Sequence, residues 1–323
     1  MTRSSQRDFP LEVQLNVDGS AGLFADVAYR WVDELSAAII GPERAALAAL
    51  PARSRLVRDL AEPLGPEGAL FGLVEVWRAR EGRPPRVTRR SLSDEGLAWL
   101  RKELVGDFPA RVDVEVGNLD ETGQRSGDRF SASIRSVEYS PGWLTLSATL
   151  PVSRFTGSGG SLIQRRWLAA VRTLADDLNP GFGQISYYLS DGSTAFEHAA
   201  PRSRHWQERD PEYNIGASRQ RLRGYSWLTI LAQELADRLG GAQALERTGV
   251  FAEVRQLAKG GVWLLATEDF CDYGMEGVEK AFDVLAPVLP GGQPWLRKTR
   301  DGQPLLVPAR APDEVRRAGD GVV

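Results

Sequence analysis

The sequence predicts an α+β protein of two loosely similar lobes, each a largely antiparallel sheet packed against helices. Three observations predict it. Period-two runs such as Leu11 to Val17 alternate with stretches of i, i+3/i+4 apolar spacing such as Leu23 to Ile39. Three consecutive strand-like runs between Arg111 and Leu150 are joined by polar or Ser-Pro-Gly segments, which makes a meander and not a series of βαβ units. From Leu222 to Leu289 the chain then reads strand, helix, hairpin, helix. The expected boundaries are 1–141 for the first lobe, 142–292 for the second and 293–323 for a partly irregular extension.

In chain order, Leu11, Val13, Leu15 and Val17 alternate with Glu12, Gln14 and Asn16, the pattern of a half-buried strand. Asp18-Gly19 turns the chain into a helix whose stripe includes Phe24, Val27, Trp31, Leu35 and Ile39, ended by Gly41-Pro42. Shorter helical pieces are expected at Ala45 to Leu50 and Leu56 to Leu60, on either side of Pro51. Leu70 to Trp77 is apolar enough for a strand buried on both faces, and the Gly-Arg-Pro-Pro-Arg after it is expected to break the regular structure. Ser93 reads as an N-cap, with Asp94 and Glu95 complementing the helix dipole and Leu97, Leu100 and Leu104 facing the core.

Arg111 to Val116, Phe130 to Tyr139 and Trp143 to Leu150 form the meander, and the polar stretch 118–128 between the first two is expected to be a mobile tip. Phe155 to Ser161 is a Gly-Ser stretch that suits either a hinge or the loop feeding the next helix. That helix carries Trp167, Leu168, Val171, Leu174 and Leu178 on one stripe and stops at Asn179-Pro180-Gly181, before a strand from Phe182 to Leu189. Tyr225, Trp227, Leu228 and Ile230 make the next strand, followed by a helix that Gly240-Gly241 ends. The C-terminal residues 311–323 are polar and expected to fray.

Composition excludes several kinds of chemistry. With 42% hydrophobic and 26% charged residues the chain is globular, and it holds no run approaching the ~20 apolar residues of a membrane span. The first residues lack the apolar core of a secretory signal, so the expected compartment is the cytoplasm. A single cysteine, Cys271, precludes an internal disulfide and a thiolate-rich zinc site, and His198 and His205 are seven residues apart, not at the spacing of a helical metal pair. No cofactor is expected. A net charge of −3 gives no bulk attraction for nucleic acid and leans toward a basic partner.

The Gly-Ser run 157–161 lacks the Lys and Ser or Thr of a phosphate loop, and the G-x-S-x-G pattern of a hydrolase elbow is absent. Paired carboxylates could still act as acid and base or hold a hard cation, and Glu268, Asp269 and Asp272 form such a cluster, although their spacing matches no calcium loop. An enzyme or small-molecule binder would then place its pocket between the lobes, near Trp31, Trp77, Trp143 or Trp227. The segment from Asp191 to Gln220 is the stronger candidate, because long loops inside compact domains tend to be functional. His205, Trp206, Arg209, Asp210, Tyr213 and Arg219 within it are residue types that anchor protein interfaces. Self-assembly through such a surface is a further option.

Two segments carry a family resemblance. GWLTLSATLPVSRF with the later NPGFGQISYYL, and LRGYSWLTILAQELADRLGGAQALERTGVFAEVRQLAKGGVWLLAT, resemble the type VI immunity family of bacterial domains over about residues 143–289. The residues that carry it are Arg223 to Thr229, Leu239-Gly240-Gly241 and Val262-Trp263-Leu264. The resemblance implies an α+β sheet protein that neutralises a toxin delivered between bacteria by binding it, without metal, cofactor or turnover. It supplies no catalytic residue, and the Arg- and aromatic-rich loop departs from it.

Overall fold

The computed structural model describes residues 9–19, 21–48, 65–106, 108–189, 191–201, 210–296, 298–299 and 302–319. The alternation of Leu11, Val13, Leu15 and Val17 becomes β1 (Pro10–Asp18), which pairs antiparallel with β6 (Trp143–Pro151) on one side and β7 (Phe182–Tyr187) on the other. Beyond β6 lie β5 (Arg125–Ser136), β4 (Arg111–Leu119), β2 (Leu70–Arg80) and β3 (Arg83–Ser91). Beyond β7 lie β8 (Leu228–Leu231), β10 (Val262–Leu265) and β9 (Glu253–Gln256). All ten strands form one antiparallel sheet in the order β3-β2-β4-β5-β6-β1-β7-β8-β10-β9, so β1 joins the two halves of an α+β fold.

Helices cover the apolar face. α1 (Ala21–Ile39) and α5 (Gly160–Leu178) lie side by side, tied by Arg30 to Asp177 at 2.8 Å. The Trp31 indole of α1 donates to the Ser147 carbonyl of β6 at 3.0 Å, and α5 reaches the far edge through Arg172 and Glu253 at 2.7 Å. α2 (Gly41–Ala48), α3 (Asp94–Glu103) and α4 (Ser153–Thr156) complete this layer over β2 and β6. Gly72 of β2 permits the close approach of α2, since a Cβ there would stand 2.6 Å from Leu47. Buried apolar side chains from Leu11 to Val307 form one cluster with Trp31, Trp167, Trp227 and Trp263 at its centre.

The later helices are α6 (Ala195–His198), α7 (Pro211–Asn214), α8 (Gln233–Arg238), α9 (Gly241–Arg247), α10 (Met275–Leu285) and α11 (Pro312–Gly319). Gly240 and Gly241, both at positive φ (86° and 80°), bend one helix into the next where a stop was expected. The expected frayed end includes α11, whose Asp313 accepts from the Gly292 N–H at 2.8 Å. The expected break after β2 is instead the edge strand β3, where Pro84 and Pro85 are tolerated because one side of the strand needs no ladder hydrogen bonds. The expected helix at Leu56 to Leu60 lies outside the described residues.

Ser93 caps α3 as expected, its Oγ accepting from the Gly96 N–H at 3.1 Å. Ser93→Ala is predicted to cost about 1 kcal/mol in urea unfolding. A loss of only a few tenths of that would show that the side-chain cap contributes little.

Candidate functional site

Opposite the helices the sheet presents a polar face, built by register. One row across the strands runs Leu73, Glu115, Ser131, Thr149, Glu12, Ser186. The next runs Glu75, Asp113, Ser133, Ser147, Gln14, Gln184, Thr229. The third runs Trp77, Arg111, Arg135, Thr145, Asn16, Phe182. Because side chains alternate between faces along each strand, the same strands that give Val114, Ile134 and Leu146 to the core give these residues to the other side.

The segment after β7 folds back over one half of this face. Arg223, fully buried, donates to both carboxylate oxygens of Glu197 at 2.9 and 2.8 Å, to Asn16 Oδ1 at 2.6 Å and to the Gly192 carbonyl at 3.2 Å. Glu197 belongs to a capping box with Thr194, whose hydroxyl donates to the Arg223 carbonyl at 3.0 Å. Beneath this clasp Glu12, Gln14, Asn16, Gln184 and Ser186 are buried. Burial pushes the Glu12 carboxyl from 4.5 up to about 8, with Arg223 and Arg135 only partly opposing it. Its Oε2, Gln14 Oε1 and both amide atoms of Gln184 lack hydrogen-bond partners among the described residues.

The other half, from β2 to β6, is left partly exposed among the described residues. It forms a cavity of about 520 Å³ lined by Glu75, Trp77, Asp113, Ser133, Ser147 and Tyr188, among others. Its charges are held in place. Arg111 Nε donates to Asp113 Oδ1 at 2.7 Å, Ser133 Oγ donates to the same oxygen at 2.8 Å, and Glu75 and Glu115 are bound by Arg89 and Arg125. The Trp77 indole N–H, by contrast, has no acceptor among the described residues. This arrangement can offer an occupant oriented carboxylates, hydroxyls and an aromatic wall.

Residues from the expected interface loop reach the rim of this face. Asp210 caps α7 by accepting from the Glu212 N–H at 2.9 Å, and Glu212 pairs with Arg135 at 2.7 Å. Tyr213 stacks on Tyr139 of the β5–β6 turn, with ring centroids 4.3 Å apart. Arg219 is turned inward, its Nη2 donating to Asp18 at 2.6 Å and to the Asn179 carbonyl at 2.8 Å. His205, Trp206 and Arg209 lie outside the described residues.

The alternative acidic cluster is spread out. Asp269 caps the turn at 270–272, accepting from the Cys271 N–H at 2.8 Å and from Gln164 at 3.1 Å, and these donors hold its carboxyl below the usual range. Glu268 and Asp272 are exposed, and no group of three metal-ligating side chains forms among the described residues. Of the tryptophans considered for a pocket, Trp31 and Trp227 are core, Trp143 covers Gly181, and Trp77 alone lines the cavity. The cavity's carboxylates were not singled out in the sequence, although the acid- and hydroxyl-bearing positions alternating through β4, β5 and β6 are a visible signal.

No helix among the described residues is long and apolar enough to cross a membrane. No family model matches the chain, and the comparison with curated proteins finds no match either. Among solved structures the chain is similar to the Pseudomonas aeruginosa T6SS protein PA0821, at 15% identity and a TM-score of 0.48, over 98% of this chain and 84% of that one. That similarity is remote and assigns the site no activity.

Proposed function

We propose that this protein is a non-enzymatic binding protein that captures a protein partner on the uncovered half of its sheet, and that the partner is a cognate toxin. The observation that carries the reading is the partly exposed face from β2 to β6, where Glu75, Asp113 and Glu115 are each fixed by an arginine beside an aromatic wall. Charges pinned in this way are oriented before binding, so docking loses little side-chain entropy. Asp210 and Tyr213 stand at the rim. The resemblance of residues 143–289 to immunity domains supports a toxin as the partner.

Ser147 lies on β6 at the inner border of the open face, where it lines the cavity, and its side chain is not needed by the core. The test is capture of a stoichiometric partner by the full chain, followed by titration of that partner against Ser147→Arg and Trp77→Ala. Each variant is expected to weaken binding by about 2 kcal/mol, roughly thirtyfold in Kd, and co-expression of the unmodified chain should relieve the growth defect caused by the partner. A complex indifferent to both substitutions would remove the sheet face from the proposal, and a partner harmless to cells would remove the toxin.

A second reading has one observation in its favour. A cavity of about 520 Å³ lined by Glu75, Trp77, Asp113 and Ser133 is of a size to hold a small polar molecule. Thermal-shift screening separates the two, since a metabolite that raises the unfolding temperature of wild type but not of Ser147→Arg would favour the small ligand.

A further inference from the structure

The hairpin of β2 and β3 concentrates positive charge at one end of the sheet. Residues 78–90 hold six arginines against a single acid, Glu81, in a chain whose net charge is −3. Register sets like against like, with Arg78 opposite Arg86 and Arg80 opposite Arg83. Like charges facing each other across strands destabilise a sheet, so the fold itself gains nothing from the arrangement.

Part of the cluster has structural work. Arg78 donates to the Glu103 carbonyl at 2.6 Å and pairs with its carboxylate at 3.2 Å, Arg89 binds Glu75, and Arg90 lies over the Trp99 ring at 5.0 Å. Arg80, Arg83 and Arg86 are exposed and form no ion pair among the described residues. β3 is also the outermost strand, and Pro84 and Pro85 withhold two of its N–H donors. That hinders pairing with another strand there. What this edge offers is guanidinium groups.

We propose that the arginine hairpin is a docking surface for a carboxylate-rich patch on a protein partner, an inference that rests on the partner being a protein. Guanidinium forks grip carboxylates and phosphates alike, so the surroundings must decide between an acidic protein and a nucleic acid. The net charge of −3 supplies no long-range pull on a polyanion such as a nucleic acid, which leaves a local carboxylate cluster on a protein as the better match.

The experiment measures fluorescence anisotropy of a labelled poly-glutamate peptide and of a labelled DNA duplex against the full chain at low salt. The peptide is expected to bind in a salt-sensitive manner and more tightly than the duplex. R80E/R83E/R86E should weaken it by about tenfold or more, and R80Q/R83Q/R86Q by less. R165E/R166E, on exposed positions of α5, should leave it unchanged. Absence of peptide binding, equal losses in the hairpin and α5 variants, or tighter binding to DNA each overturns the inference. The Ser147→Arg titration leaves the hairpin intact. If the captured partner is lost there but not with R80E/R83E/R86E, the hairpin assignment falls and the sheet-face reading stands.

Discussion

Arg223→Met is expected to lower the free energy of unfolding by about 3–5 kcal/mol, the usual cost of stripping one member from a buried ion pair. The arginine is 1% exposed and Glu197 5% exposed, so neither can recruit bulk water as a substitute partner. Removing the guanidinium strands Oε1 of Glu197 and the side-chain oxygen of Asn16 at once, and leaves Oε2 with only the Thr194 N–H. The damage should also spread, because this clasp fixes Gly192, Thr194 and Arg223 together over Asn16 of β1. Urea unfolding of wild type, Arg223→Met, Glu197→Gln and the double variant measures it. The double variant should recover part of the loss, since no lone buried charge then remains. A single-variant loss below about 1 kcal/mol would mean that the pair is hydrated and the clasp is not a major restraint.

Glu12→Gln is expected to reshape the dependence of stability on pH. The Glu12 carboxyl titrates near 8 in the folded protein, raised from 4.5 by burial and opposed in part by Arg223 and Arg135, while Asp191 adds to the rise. The folded state therefore keeps a proton that the unfolded chain gives up. Glu12's stabilising contribution is complete below pH 4.5 and is lost as pH rises through about 8. Within that window the slope approaches about 1.4 kcal/mol per pH unit. Glu12→Gln keeps the shape without the titration, so its urea midpoint should change less between pH 5 and 9 than that of wild type, with the variant the more stable at the alkaline end. Parallel profiles would show that this carboxyl is solvated. Arg223→Met couples to the same group, since it deletes the largest influence that lowers the Glu12 value.

The core side of the fold was legible because it is local. Alternation from Leu11 to Val17, the stripe through Trp31 and the Ser93 cap each reside in a few consecutive residues. The polar side was not. Glu12, Gln14 and Asn16 read as water-facing, yet they are buried because Arg223 meets Asn16 across 207 positions of sequence. No short window contains that contact. Trp77 misled in the opposite direction, its apolar neighbours suggesting burial on both faces where one face is partly open. Pro84-Pro85 signals a break in any strand but an edge strand, and edge position is itself a long-range property. Of the site residues anticipated in the loop, Tyr213 and Asp210 stand at the rim while Arg219 faces inward, a distinction set by the distant carboxylate of Asp18.

The central seat of β1 has a bearing on biogenesis. Leu15 lies beside Leu146 on one flank and Gly183 on the other, so β1 gains its second neighbour only once Phe182–Tyr187 has been synthesised. Ring-closure entropy must be met before either flank rewards it, which makes assembly slow for a chain of this size. While β7 is still being added, β1 has only β6 beside it in the sheet, and a nascent chain stalled at that stage would be a natural client for chaperones.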